Sequence, residues 1–442
     1  MKIKIQTGPI FTIIMFVMAL EMRFASIFEI PFLKVYANMT LIATIISMLL
    51  FFNSIVNNYI YNTLKPYRSF TNLFIVVLGL SIVLVTIYSY NRYGQTLLNY
   101  FSCFRIFLYF MLASSIIFTF TKQGGYEYFL KVLIVFTVIY IVLCYINSFS
   151  YSLRGELIWK TLQFGIRNDR LRCQIPYPFY ILFPYVFYKI FQVELIKDKL
   201  KWGVLFVFFL TFINYIAMTR MLNSALYVFL LLSFVILPRN PNLRKTVLII
   251  YGITLFVLIA TGRIYFVINY IQSRDQNLGD SAEARISSIN YFKSYAVKNP
   301  FFSMGYVSPT NEHFRAIFSG KSNSFFFDDI GIMNIYLHYG IVGSVPFVIF
   351  IVRILYLLVK IYFINKSPNK ALFLGIIIFV GISQVSLCMF DGQRIMGAVM
   401  LWAIFEYEAY ITSPTAKKER RKLSIRRNHA NHTIQLRLDK QG

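Results

Sequence analysis

Acidic residues are scarce in this chain: 18 Asp and Glu stand against 44 Lys and Arg, and charged residues of either sign fill only 14% of its 442 positions. A soluble domain carries about 25% charged residues to keep its surface in water. Two or three soluble domains, the ordinary reading of this length, are therefore excluded. Cysteine is scarce as well, four in all. Cys103, Cys144 and Cys388 fall in apolar runs and Cys173 stands alone in a loop, so no disulfide framework is implied. No cluster of side chains requires a metal; His429 and His432 form only a weak HxxH signal in a polar tail. Walker and dinucleotide glycine motifs are missing, and so is any repeat of about 20–50 residues. No cofactor is expected, and energy for any chemistry must arrive with the substrate. The N-terminal MKIKIQTGP leads into an apolar run with no small-residue cleavage site, which reads as a first span and not as a removed signal peptide.

What the chain has in abundance is apolar length: 57% hydrophobic residues and a mean hydropathy of +0.61. About 20 apolar residues cross one bilayer, so this supply suffices for about twelve crossings. The predicted fold class is an all-α polytopic membrane protein. The candidate spans lie near 9–30, 37–56, 70–90, 97–120, 129–147, 175–193, 202–219, 221–237, 246–267, 341–362, 371–390 and 394–412. Transmembrane helices one to nine thus occupy 1–267, with an outer loop at 148–174. An extracytoplasmic cap follows at 268–330, helices ten to twelve at 331–412, and a basic tail at 413–442.

The net charge of +26 would point to nucleic acid in a soluble protein; here membrane topology accounts for most of it, and no nucleic-acid partner is expected. With the N-terminus inside, the short inner loops hold sixteen Lys and Arg and the tail nine more, whereas the short outer loops hold Lys34, Arg92, Arg220 and Arg394. This is the positive-inside pattern, with both termini cytoplasmic in the plasma membrane. The tail run from Lys417 to Arg427 suits anionic lipid of the inner leaflet.

Two outer segments break the pattern. The first carries Arg154, Lys160, Arg167, Arg170 and Arg172; the second carries Arg274, Arg285, Lys293, Lys298, Arg315 and Lys321. Bases placed outside work against topology and need another reason. The second segment also holds Tyr291, Phe292, Tyr295, Phe301, Phe302, Phe325, Phe326 and Phe327, too many aromatics for disorder. It reads as a folded cap with a helix over about 282–297, its apolar stripe being Ile286, Ile289, Phe292 and Ala296. Those aromatics suit a core and the stacking of sugar faces equally.

The most informative stretch is Asp328-Asp329, where the cap re-enters the membrane, followed by Gly340 and Gly343. The glycines suit close helix packing. One Asp suits a helix N-cap, and two in a row exceed what a cap needs. Arg220 stands alone between two apolar spans; an arginine at membrane depth marks a site, the plain alternative being a snorkelling helix-end residue. Arg285 opens the cap helix, which Asn299-Pro300 through Gly305 closes. His338 reads as a packed histidine. Glu21 and Arg23, inside span one, suit pairing with other intramembrane groups. Asp391 and Arg394 flank a short outer turn with Gln393 beside them, close enough in topology to reach the same cavity.

Together these residues resemble the O-antigen ligase and O-antigen/capsular polysaccharide polymerase (Wzy-type) superfamily, in motif detail over about 200–345. Its members place an arginine at the start of a span before one large outer loop, matched by Arg220. A second arginine heads a loop helix ending in a Pro-x-x-x-x-Gly turn, matched by Arg285, Pro300 and Gly305. The ligases carry His-Asn eleven residues before Gly-x-x-Gly; here Asp329 and Ile330 stand there. That departure turns the resemblance from the ligases toward the polymerases.

The resemblance implies glycosyl transfer on the outer face, from a glycan on polyprenyl pyrophosphate to the terminal sugar of a lipid-linked repeat unit. The product would be capsule, exopolysaccharide or O-antigen. It also implies membrane lipid, a flippase and a chain-length regulator as partners. Guanidinium forks bind diphosphate oxygens bidentately. Arg220 and Arg285 are the first candidates, Arg172, Arg170 and Arg167 the auxiliaries, with Asp391 and Arg394 as further substrate ligands. Asp329 is the candidate base for the acceptor hydroxyl and Asp328 its understudy. The alternatives are a ligase-type transferase to another acceptor, or a twelve-span flippase or transporter built from two similar halves.

Overall fold

The computed structural model describes residues 8–24, 27, 32, 35–56, 65–122, 124–159, 164–167, 170–217, 220–236, 283, 285–308, 311–319, 325, 330–385, 387–414 and 416. Helix α1 runs Pro9–Glu21, with Pro at the first helical position, where its missing amide costs no bond. Helices α2 (Tyr36–Val56) and α3 (Lys65–Tyr93) follow. Helix α4 (Leu97–Phe120) is capped by the Thr96 side chain, which accepts from Asn99 N, and tightens to a 3₁₀ stretch over Arg105–Met111. Helix α5 (Gly125–Arg154) ends on Gly155 at φ +69°, a left-handed cap. Strands β1 (Phe164–Arg167) and β2 (Arg170–Cys173) form a hairpin before α6 (Phe179–Gln192). Helix α7 (Ile196–Ala217) widens into a π turn over Phe212–Ala217, and α8 (Arg220–Ile236) follows it. Then come α9 (285–298), α10 (Glu312–Ser319), α11 (Met333–Ile364), α12 (Lys370–Ser383) and α13 (Ile395–Ile411).

Among the described residues, six helices are long and apolar enough to cross a membrane: α2, α3, α4, α5, α7 and α11. Leu73, Val76, Leu80, Val83 and Ile87 of α3 are exposed, as are Val348, Val352 and Val359 of α11. Apolar side chains in continuous outward stripes are at rest in lipid and not in water. The architecture is all-α and that of a membrane-embedded protein. Helices lie over every predicted span except the ninth, 246–267, which falls outside the described residues.

Helix α13 forms the axis, with Ile395 through Glu406 all buried. Its Trp402 donates to Thr71 Oγ1 at 3.0 Å and lies against Phe70, Phe74 and Phe350. Around it α3 packs along α11, α8 along α12, α6 along α7, and α2 along α4.

Four departures from the sequence reading matter. Helix α1 stops at Glu21, so Glu21 closes this helix and Arg23 lies two residues past its end. The loop after α5 contains a β-hairpin. Helix α9 has Phe292 and Ala296 buried as expected, whereas Ile286 is 60% exposed. Helix α11 begins eight residues before its predicted start and breaks at Gly340, where φ is +66° and ψ −166°.

The break in α11 holds the turn after α9. It takes the amides of Ile341 and Val342 out of the helical ladder, and the turn after α9 receives them, Ile341 N donating to Pro300 O and Val342 N to Phe301 O, each at 2.9 Å. In return Met304 N and Gly305 N donate to His338 O at 3.1 and 3.0 Å. Buried backbone groups left unpaired are costly, so each segment completes the other. A Cβ on Gly340 would stand 2.5 Å from the Phe301 carbonyl and Phe302 N. This glycine therefore admits a turn, and not the neighbouring helix that its spacing suggested. Gly343 does face a helix, where a Cβ would reach Val85 of α3 at 3.5 Å. Tyr93 Oη donates to Met304 O at 2.8 Å and Ser308 N to Gln95 Oε1 at 3.1 Å, fixing the same turn to the end of α3.

Candidate functional site

The hairpin sits at one end of the bundle in the register Phe164↔Cys173, Gly165↔Arg172, Ile166↔Leu171 and Arg167↔Arg170. Residues alternate faces along a strand, and paired residues share one. Positions 167, 170 and 172 therefore lie on one face, and 166, 171 and 173 on the other. Leu171 and Cys173 are buried, and the Cys173 thiol reaches the Cys144 carbonyl of α5 at 3.8 Å, so this second face is set on the bundle. The first face collects the three arginine positions, Arg167 directly opposite Arg170.

Arg172 Nε donates to the carbonyl of Ala217 at 3.1 Å, at the end of the π turn. Arg220 opens α8 three residues later. Arg172 is thus fixed to the end of α7, three positions before the start of α8 at Arg220. The side chains of Arg167, Arg170 and Arg220 lie outside the described residues, as do Asp328 and Asp329.

Beyond β2, Gln174 Nε2 donates to Gln393 Oε1 at 2.8 Å, tying the hairpin to the turn between α12 and α13. In that turn Arg394 forms an ion pair with Asp391, whose Oδ1 accepts from Gln393 N at 3.1 Å. The sequence reading made Asp391 and Arg394 substrate ligands. Here they engage each other and shape the turn that presents Gln393.

A narrow recess opens between hairpin and turn, lined by Glu21, Arg23, Tyr36, Tyr140, Tyr177 and the two glutamines. The Glu21 carboxylate accepts from the Tyr109 hydroxyl; the Tyr36 hydroxyl lies 3.3 Å from it and 3.0 Å from the Gly392 carbonyl, one proton between two acceptors. Arg23 adopts φ +60°, and its guanidinium lies 3.9 Å from the centre of the Tyr36 ring. Left-handed backbone in a residue with a side chain costs about 1–2 kcal/mol, and such strain gathers at functional sites. Tyr140 donates to Gln174 O at 3.1 Å and Tyr177 to Met18 O at 2.9 Å, joining α5 and α1 to the wall.

Arg285 opens α9, half-buried, and its Nε is buried with no hydrogen-bond partner among the described residues. Directly after the acid pair the chain is clamped: Ile332 N donates to Gln384 O at 3.0 Å, and Gly331, at φ +62°, leaves no room for a Cβ against Gln384 and Val385. His338 is buried and stacked on Tyr339 with ring centroids 4.1 Å apart, the packed histidine expected. Burial raises the phenols of Tyr291 and Tyr306 above their ordinary value.

Sequence reasoning missed Arg105. It lies on the 3₁₀ stretch of α4, close enough to act on the charge of Glu21, with its Nε buried and without a partner among the described residues. The signal was available, since Arg105 is the one charged residue of the run 97–120 and a charge at membrane depth marks a site by default. Tyr36 and Tyr109 carried no such signal among 32 tyrosines. Among the described residues no group of three or more His, Cys, Asp or Glu is placed to hold a metal.

Fold and site define a membrane-embedded α-helical protein with an arginine-bearing hairpin and a polar recess at one end. No family model, curated protein or solved structure matches the chain.

Proposed function

We propose that the chain is a polysaccharide polymerase. It joins oligosaccharide repeat units carried on polyprenyl pyrophosphate at the outer face of the plasma membrane, for capsule, exopolysaccharide or O-antigen. In this reading twelve helices span the bilayer, a catalytic cap stands between the ninth and tenth, and both termini face the cytoplasm. The observation that carries it is the meeting of the hairpin's arginine face with the corner that bears Arg220, through Arg172 and Ala217. Like charges directly opposed across a hairpin repel. The register pairs positions 167 and 170, and arginines at these positions, at 172 and at the start of α8 suit an anion of high charge, such as a lipid diphosphate.

The chemistry follows from that placement. The bond from the donor's anomeric carbon to the pyrophosphate oxygen breaks, and its electron pair leaves with the pyrophosphate. Arg220, Arg285 and the hairpin arginines neutralise the charge that develops there. The acceptor hydroxyl forms the new bond to the anomeric carbon and gives its proton to Asp329, with Asp328 in reserve.

The test replaces Arg220, Arg285 and Asp329 singly by Ala and resolves the surface glycan by length. Each variant is expected to display single repeat units at normal protein level. Normal chain length in all three overturns the proposal. Single units stranded inside the cell point to a flippase, and full-length chains that fail to reach another anchor point to a ligase.

A further inference from the structure

Cysteine is scarce in the sequence and implies no disulfide framework, yet the fold sets two of the four together. Cys173 closes β2 on the hairpin's packed face, and Cys144 lies on α5, against which that face rests. Both are buried, at 1% and 0% exposure, and both are thiols. The Cys173 thiol lies 3.8 Å from the Cys144 carbonyl oxygen, and the two thiols share a hydrogen bond. Tyr140, one helical turn before Cys144, donates to the carbonyl of Gln174, the residue after Cys173. Helix and strand are thus held in register around the pair.

A single buried cysteine packs as a small hydrophobe. Two that meet from separate elements are different, because a disulfide needs its sulfurs already side by side. The hairpin supplies the reason for such a bond. Two short strands are marginally stable in isolation. This pair also carries arginine at 167, 170 and 172, and the register sets 167 opposite 170, where like charges oppose closure. Leu171, Cys173 and the bond from Arg172 to Ala217 O fasten it to the bundle.

We infer that Cys144 and Cys173 are a modification site, where a disulfide oxidant joins them and staples the hairpin to α5. The bond closes a loop from 144 to 173 that contains both strands, so the opened state loses freedom and the hairpin returns to one position. The inference rests on the outward-facing hairpin of the polymerase reading, since disulfides form and persist outside the cytoplasm. The exchange runs while the hairpin is lifted. Cys173 loses its proton, its sulfur attacks one sulfur of the oxidant's disulfide, and that S–S bond breaks with release of one thiolate. Cys144, deprotonated in turn, attacks the Cys173 sulfur, and the second thiolate leaves as the new bond forms. Two protons and two electrons pass from the protein to the oxidant, which ends as two thiols.

The test uses the full chain in lipid nanodiscs, equilibrated with oxidised or reduced glutathione, then alkylated, digested and read by mass spectrometry. Oxidised glutathione is expected to join the fragment holding Cys144 to the fragment holding Cys173. Trypsin is expected to cut the folded protein between 148 and 174 about tenfold more slowly after oxidation, because local opening governs cleavage. In Cys173→Ala the two rates should be equal. Absence of the 144–173 link under oxidised glutathione overturns the site, and so does a link that leaves cleavage unchanged. The same fragments are read from protein alkylated in the membranes of a bacterial host with an oxidising periplasm, where the link is expected as well. A link that glutathione forms and that host does not overturns the outward-facing hairpin, with the glycan-length test of the arginines and Asp329 deciding the polymerase reading separately.

Discussion

Among the described residues two clusters of charge lie inside this bundle, and they are answered in different ways. Toward the end away from the hairpin, Arg353 of α11 meets Glu406 of α13 fork to fork, with Nε–Oε1 at 2.7 Å and Nη2–Oε2 at 3.0 Å. Its guanidinium lies 4.0 Å from the Phe70 ring centre, and Glu406 is fully buried. Glu408 beside it takes Ser367 Oγ and Asn369 Nδ2. At the hairpin end, phenols answer Glu21, the Arg23 guanidinium lies over the Tyr36 ring, and each of two glutamines spends one end of its amide on the other. Planar ions that use up each other's hydrogen bonds hold helices together. Groups satisfied by halves around a recess still have something to offer a ligand. That contrast, more than the presence of charge in apolar helices, separates architecture from site.

The largest effect belongs to the closed pair. Arg353→Ala leaves Glu406 buried and uncompensated, which is expected to cost about 3–5 kcal/mol of folding stability. Equilibrium unfolding in mixed detergent micelles measures it, and the double change Arg353→Met with Glu406→Leu is expected to recover most of the loss. Glycan length per folded molecule should not change; a shortened glycan in the stable double variant would break the contrast. A middle effect is expected for Tyr109→Phe, which removes one donor from the Glu21 carboxylate and costs about 1–3 kcal/mol by the same measurement. The smallest stability change belongs to Glu21→Gln, since an amide oxygen still accepts from Tyr109 and Tyr36: about 1 kcal/mol or less. Its effect is expected on the product instead, as shorter surface glycan on gels. Should Glu21→Gln destabilise as much as Arg353→Ala and leave the glycan alone, the recess is architecture after all.

Particular elements show what the residue string carried. Long apolar runs such as 70–90 and 97–120 announced α3 and α4, because a helix crossing lipid needs only local composition. Phe292 and Ala296 announced the buried face of α9 by helical spacing. The hairpin stayed hidden. Arg170-Leu171-Arg172-Cys173 does alternate, yet four residues are too few for a period of two to stand out. Gly340 was conspicuous and misassigned, since its need comes from Phe301 and Phe302 of a separate segment. Arg172 and Arg220 were legible one at a time as bases on the wrong side of a topology rule, but the bond from Arg172 to Ala217 was not. The recess was least legible of all: Glu21 and Gln393 are 372 residues apart, and span one was read as running on past Arg23.

The order of residues alone decided that this chain belongs in a bilayer, as helices, with arginine gathered in a few polar stretches of the sequence. Those outcomes depend on solvation, which each stretch of chain meets by itself. Only the folded arrangement decided that Arg353 meets Glu406, that Arg394 meets Asp391, and that Glu21 is gathered with Tyr36, Tyr109 and two glutamines at one end of the bundle. Whether a charge is satisfied depends on what stands about 3 Å away, and in a bundle that neighbour comes from a distant part of the chain.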